Sequence, residues 1–173
     1  MILLSFDIEE FDVPKEHQVD ISMEEQIKVS VEGTTRILDC LERNQVKATC
    51  TANFALHAPD IIKRIQEGGH EIASHGFYHW TFEVEDLKRS KDQLEEITGT
   101  KVYGYRQARM MPVSEKAVYE AGYIYNSSLN PTFIPGRYMR LSTPRTPFIK
   151  DRVMQMPASV TPLLRFPLFW LSC

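Results

Sequence analysis

An α/β fold built on a mostly parallel sheet is predicted by three observations. Short β-branched runs alternate with amphipathic stretches, which is the rhythm of βα units. Four apolar runs each lead through a turn into a segment long enough to be helical. Apolar and charged fractions of 43% and 25% match globular averages, which argues against disordered, collagen-like and coiled-coil chains. A chain of 173 residues can bury one sizeable core, so residues 1–173 are expected to form a single domain.

The first strand is expected from Ile2 to Phe6, within MILLSFDIEEF. That apolar run is too short to span a membrane and has no basic stretch before it, so neither a membrane span nor a secretory signal is expected. A long helix follows from Met23 to Arg43, then a second strand from Val46 to Thr51. Pro59 suits a first helical turn and Gly68-Gly69 a stop, which frames a helix from Pro59 to Glu67. A third strand from Glu71 to Ser74, a helix from Glu83 to Thr98, a fourth strand from Val102 to Tyr105 and a helix from Ser114 to Glu120 complete the regular part. Beyond Gly122, seven prolines between Pro131 and Pro167 interrupt any long element, so loop with short strands is expected there. The apolar segment Leu163 to Trp170 expects something to pack against.

Composition narrows the partners. A formal charge of −3, with basic residues scattered along the chain, gives no electrostatic case for nucleic acid. Cys40, Cys50 and Cys173 are an odd set without CxxC spacing, which favours a reducing compartment and hence the cytoplasm, and offers no thiolate metal site.

Two motifs could carry chemistry. Residues two apart on a strand share a face, so Asp7 and Glu9 can address one site while Ile8 packs behind them and Glu10 points away. Taken alone, DIEEFD reads more readily as a solvated acidic loop. His75 and His79 stand four apart, a spacing that lets two imidazoles converge on one ion, though HxxxH by itself is unspecific. Position raises its meaning: His75 lies where the chain leaves the third strand, the end at which α/β folds place ligands. Two imidazoles and a carboxylate suit Zn²⁺, with Co²⁺, Ni²⁺ or Fe²⁺ as alternatives, and leave open positions for water. Arg106 follows the fourth strand in the equivalent place and could keep a carboxylate ionised, or equally cap a surface acid. Tyr78 and Trp80 beside His79 would suit the apolar face of a sugar ring. His17, His57 and His70 lack ligand-spaced neighbours and read as structural or solvated.

Together these pieces resemble the NodB-type polysaccharide deacetylases, carbohydrate esterase family four, in the branch whose first motif is FD-x-E. LLSFDIEEF is similar to the first motif, VKATCTANFALHAPDIIKRIQEGGHEIASHGFYH to the second strand running into His-x-x-x-His, GYRQARM to the Arg motif, and GYIYNSSLNP to the segment usually written YDSS. The resemblance implies a distorted (β/α) barrel, incomplete here at its C-terminus. It implies Asp7 as general base towards metal-bound water, Glu9, His75 and His79 as ligands of a divalent ion, and Arg106 as the group that orients Asp7. The substrate implied is an N-acetylated sugar or glycan precursor, with Asn126 and the aromatic wall near it. An amide hydrolase acting on a ureide and a catalytically degenerate sugar-binding module are the alternatives.

Three positions depart from the family pattern. Gln107-Ala108 replaces a proline-containing sequence, Asn126 stands where Asp is usual, and no His after His79 answers the family's Leu-x-His. Loss of that general acid implies a rate lower by about 10²–10⁴-fold with metal binding kept. An incomplete barrel would expose a strand edge, from which a homo-oligomer is expected.

Overall fold

The computed structural model describes residues 2–78, 81–136 and 138–168. They fall into two compact units, Met1–Val102 and Tyr103–Cys173.

The first unit contains strands β1 (Ser5–Ile8), β2 (Thr49–Ala52) and β3 (Glu71–Ser74), with helices α1 (Val13–Glu16), α2 (Met23–Arg43), α3 (Pro59–Glu67) and α4 (Val84–Thr98). The strands run parallel in the order β1-β2-β3, with Asp7 opposite Thr51 and Thr51 opposite Ala73. Local signals place the helix ends. The Ser22 hydroxyl accepts from the Glu25 N–H at 3.2 Å to start α2, and Glu24 and Glu25 favour the positive end of its dipole. A reciprocal Glu83/Asp86 capping box opens α4, and Gly99 in the left-handed region (φ 65°) closes it. Buried side chains at Thr34, Leu38 and Leu41 of α2, Ile61, Ile62 and Ile65 of α3, and Leu87 and Leu94 of α4 form the core with Cys50, Phe54 and Ala73.

The second unit holds β4 (Gly104–Tyr105), a 3-10 turn (Ala108–Met110), α5 (Glu115–Glu120), β5 (Tyr125–Asn126), β6 (Phe133–Ile134), β7 (Tyr138–Met139), β8 (Phe148–Lys150) and β9 (Val153–Gln155). Its main row is β4-β5-β9-β8, parallel except for β8, while β6 and β7 form a separate antiparallel pair. Tyr105 and Tyr123, with ring centroids 5.1 Å apart, centre its core alongside Val118 and Val153. The described strands of neither unit close into a barrel by themselves. The α/β class and the parallel sheet agree with the expectation. No described helix is long and apolar enough to cross a membrane.

Three strands have boundaries that differ from those expected. β2 runs from Thr49 to Ala52 rather than from Val46 to Thr51, because the Val46 N–H donates to the Leu41 carbonyl of α2 (2.9 Å) and the Ala48 N–H to His70 Nδ1 (3.3 Å). β1 begins at Ser5 rather than Ile2, and extends through Ile8, because its pairing with β2 buries Ile8 while Ile2, Leu3 and Leu4 stay exposed. Asp7 is therefore inside the strand and Glu9 just past it. β4 starts at Gly104 rather than Val102, because the Val102 N–H donates to Glu95 Oε1 (3.0 Å) and its carbonyl accepts from Lys91 Nζ, leaving neither for a ladder. The apolar C-terminal segment has Leu163, Leu164 and Leu168 exposed; Phe169 and Trp170 lie outside the described residues.

Candidate active site

Parallel strands bring their carboxyl ends to one edge, and the first unit gathers its reactive groups there. Asp7 is exposed at the end of β1 and accepts from the Thr51 hydroxyl of β2 at 2.5 Å. On β3, the His75 N–H donates to the Ala52 carbonyl (3.1 Å), which carries the sheet pairing one residue past the strand. Its imidazole is 1% exposed and places Nε2 2.8 Å from Glu9 Oε2. Gly76 then turns the chain at φ +85°, a region open to glycine at no steric cost.

Phe77 and Tyr78 follow that turn in an edge-to-face pair at 4.8 Å, and the Arg89 guanidinium of α4 sits 4.0 Å above the Phe77 ring. A stacked guanidinium steadies an aromatic loop by about 0.5–2 kcal/mol. Tyr78 is half exposed. His79 and Trp80, expected as ligand and wall, lie outside the described residues.

A carboxylate and an imidazole nitrogen in direct contact, facing one edge, are donors of the type divalent first-row ions take. No group of three His, Cys, Asp or Glu converges among the described residues, and the third expected donor is His79. The donor chemistry of Glu9 and His75 fits such an ion.

Three further residues meet at this edge. Glu10 is buried rather than turned to solvent, because β1 has ended by Ile8, and its Oε2 accepts from Asn53 Nδ2 at 2.7 Å. Ser30 of α2 donates to the Glu9 carbonyl at 2.6 Å. The rule that found His75 also covers Asn53, the first residue after β2; Ser30 left no local signal. A cavity of about 280 Å³ lies alongside, lined by Asp7, Glu9 and Glu10 on one flank and by Val29, Gly33 and Ile37 of α2 on the other. A larger one, about 440 Å³, opens at the opposite ends of the strands beside Lys47, Arg64 and His70, remote from the candidate chemistry.

In the second unit Arg106 is buried, and its Nε donates to the Ser127 hydroxyl at 3.1 Å. The Gln107 N–H donates to Ser128 Oγ (2.8 Å), and Ser128 in turn donates from its N–H (3.0 Å) and its hydroxyl (2.5 Å) to Asn126 Oδ1. These bonds restrain the loop after Arg106 where the usual proline is absent. Asn126 is 2% exposed and its carboxamide oxygen holds Ser128, so its visible role is to shape the Arg106 loop.

Parallel strands with carboxylates and an imidazole at their carboxyl ends define an α/β domain with a pair of metal-suited donors. The polysaccharide deacetylase model matches residues 2–111, and the chain belongs to that family, as the NodB-type resemblance implied. A 30.6 kDa protein of Geobacillus stearothermophilus, itself uncharacterised, is 31% identical over 102 residues, 50% of this chain and 38% of that one. The peptidoglycan-N-acetylmuramic acid deacetylase PdaA of Bacillus subtilis is 30% identical over 66 residues, 37% of this chain and 25% of its own. A Mycobacterium smegmatis structure described under the name polysaccharide deacetylase shares the fold at TM-score 0.67 and 21% identity, over 91% of this chain and 58% of that one. The chain thus spans well under two thirds of these relatives' lengths.

Proposed function

We propose that the protein removes the acetyl group from an N-acetylated sugar or glycan precursor by metal-dependent hydrolysis. The observation that carries the reading is the 2.8 Å approach of Glu9 to His75, with Asp7 two residues back, on β1. Glu9, His75 and His79 would hold a divalent cation, Zn²⁺ first and Co²⁺, Ni²⁺ or Fe²⁺ as alternatives, which supplies Lewis acidity and brings the pKa of water from about 15.7 towards 7.

Asp7 acts as general base. Thr51 donates to one of its carboxylate oxygens, fixing the group so that the other can take a proton from the attacking water. The water oxygen bonds to the acetyl carbon, the C–N bond breaks, and the amine leaves with the proton that Asp7 took from the water, yielding acetate and a free amino sugar. Arg106, which donates to Ser127, is the residue that the NodB-type resemblance implies would orient Asp7. A backbone N–H in the loop after Arg106 is the oxyanion donor that the resemblance implies, and within that loop the Gln107 N–H is committed to Ser128. Tyr78 would offer its ring to the sugar.

The test is acetate release from N-acetylated oligosaccharides with added Zn²⁺ or Co²⁺. Activity should fall by roughly 10²–10⁴-fold in Asp7→Asn and by at least as much in His75→Ala. No release, even from a longer form of the protein, would refute the reading, and turnover confined to ureides in the same panel would move the substrate class.

A further inference from the structure

We propose that Ser30, Glu10 and Asn53 form a clamp on the main chain around Glu9 and so set where its carboxylate meets a cation; the inference rests on the ligand role proposed above for Glu9. Glu9 lies one residue past β1, so the last rung of the β1–β2 pairing reaches only the peptide plane before it. Its orientation therefore depends on what fixes the two peptide planes flanking its Cα. The preceding plane is held by the Asn53 N–H, which donates to the Ile8 carbonyl at 3.2 Å. The following plane is held by the Ser30 hydroxyl, which donates to the Glu9 carbonyl at 2.6 Å. With both planes anchored, the φ and ψ of Glu9 are set and only side-chain rotamers stay free. Asn53 acts twice, since its Nδ2 also donates to Glu10 Oε2 at 2.7 Å and secures the next residue.

Burial argues that this arrangement serves something other than stability. Glu10 and Asn53 are 8% and 5% exposed, and Asn53 Oδ1 is buried without a hydrogen-bond partner among the described residues. A desolvated carboxylate and an orphaned amide oxygen are costly where an apolar pair of similar size would be neutral or stabilising. Such local cost is expected where a site must be held in one geometry. Outer groups that orient metal ligands typically change metal affinity by about 10–100-fold when removed.

The experiment titrates the 173-residue chain with Co²⁺, following the visible d–d bands and the heat of binding, and measures thermal unfolding without metal in parallel. Glu10→Leu/Asn53→Leu and Ser30→Ala should each bind Co²⁺ roughly 10–100-fold more weakly, with shifted bands. The double variant should melt without metal at or above the wild-type temperature, and Ser30→Thr, which keeps the hydroxyl, should bind nearly as wild type. Should the double variant fail to fold, the contrast between Ser30→Ala and Ser30→Thr decides. Wild-type Co²⁺ binding by all these variants, while Glu9→Ala and His75→Ala bind none, would overturn the clamp and leave the metal site standing. Unaltered Co²⁺ binding by Glu9→Ala and His75→Ala would overturn the metal site and the clamp with it.

Discussion

Glu95→Gln should destabilise the protein by an amount that depends on pH in one direction. The Glu95 carboxylate near the end of α4 accepts from the Val102 N–H at 3.0 Å and pairs with Lys91 and Lys101 at 3.0 Å each. Burial by itself would raise its pKa, but the Val102 N–H and the two ammonium groups outweigh burial and bring it from 4.5 down to about 2. At about 1.36 kcal/mol per unit the ceiling on this stabilisation is roughly 3 kcal/mol. Glu95 is 17% exposed but Lys101 is 72% exposed, so solvent screening reduces the realistic figure to about 1 kcal/mol. Gln keeps an acceptor for Val102 and removes only the charge. Because the folded pKa is depressed, the contribution is complete above about 4.5 and is lost as pH falls from there towards 2. Urea unfolding of wild type and variant, followed by circular dichroism at pH 7, 5 and 3, should give a gap near 1 kcal/mol at the first two, or about 2–4 °C in Tm, shrinking at the third. A gap that stays constant down to pH 3, or a variant more stable at pH 7, would refute the reasoning.

Other perturbations test other parts of the molecule. Burial and the nearby Lys47 lower the pKa of His70, whose Nδ1 accepts from the Ala48 N–H (3.3 Å). Its contribution is therefore present above the ordinary value of 6.5 and is lost on acidification below it, and His70→Gln should flatten the stability profile across that window. A Cβ on Gly104 would fall 2.0 Å from the Tyr125 ring, whereas one on Gly33 in α2 would meet nothing within 4 Å. Gly104→Ala should therefore cost about 1–3 kcal/mol or more, while Gly33→Ala should stabilise by roughly 0.5–1 kcal/mol in chemical denaturation. Cys50 is fully buried and its thiol is pushed up to about 12, so thiol-labelling mass spectrometry on native protein should mark exposed Cys40 and leave Cys50 unmodified until unfolding.

Much of the first unit is determined by its sequence alone. The bounds of α2, α3 and β3 are those expected, because Pro59, Gly68-Gly69 and the alternation of apolar with polar residues act within a few residues of the backbone they shape. The same locality made His75 stand out, since it directly follows a legible strand. The tertiary structure decided the rest. It shifted β1 towards Ile8, because a parallel strand's limits are set by its partner more than 40 residues away. It set the short strands of the second unit, whose pairings such as Asn126 with Gln155 join segments that carry almost no local β signal. It made Asn126 an acceptor for Ser128, and it buried Glu10 against Asn53. Sequence patterns report what a residue does to its own turn of chain; which buried polar groups face each other depends on contacts between distant segments, and those form only when the strands assemble.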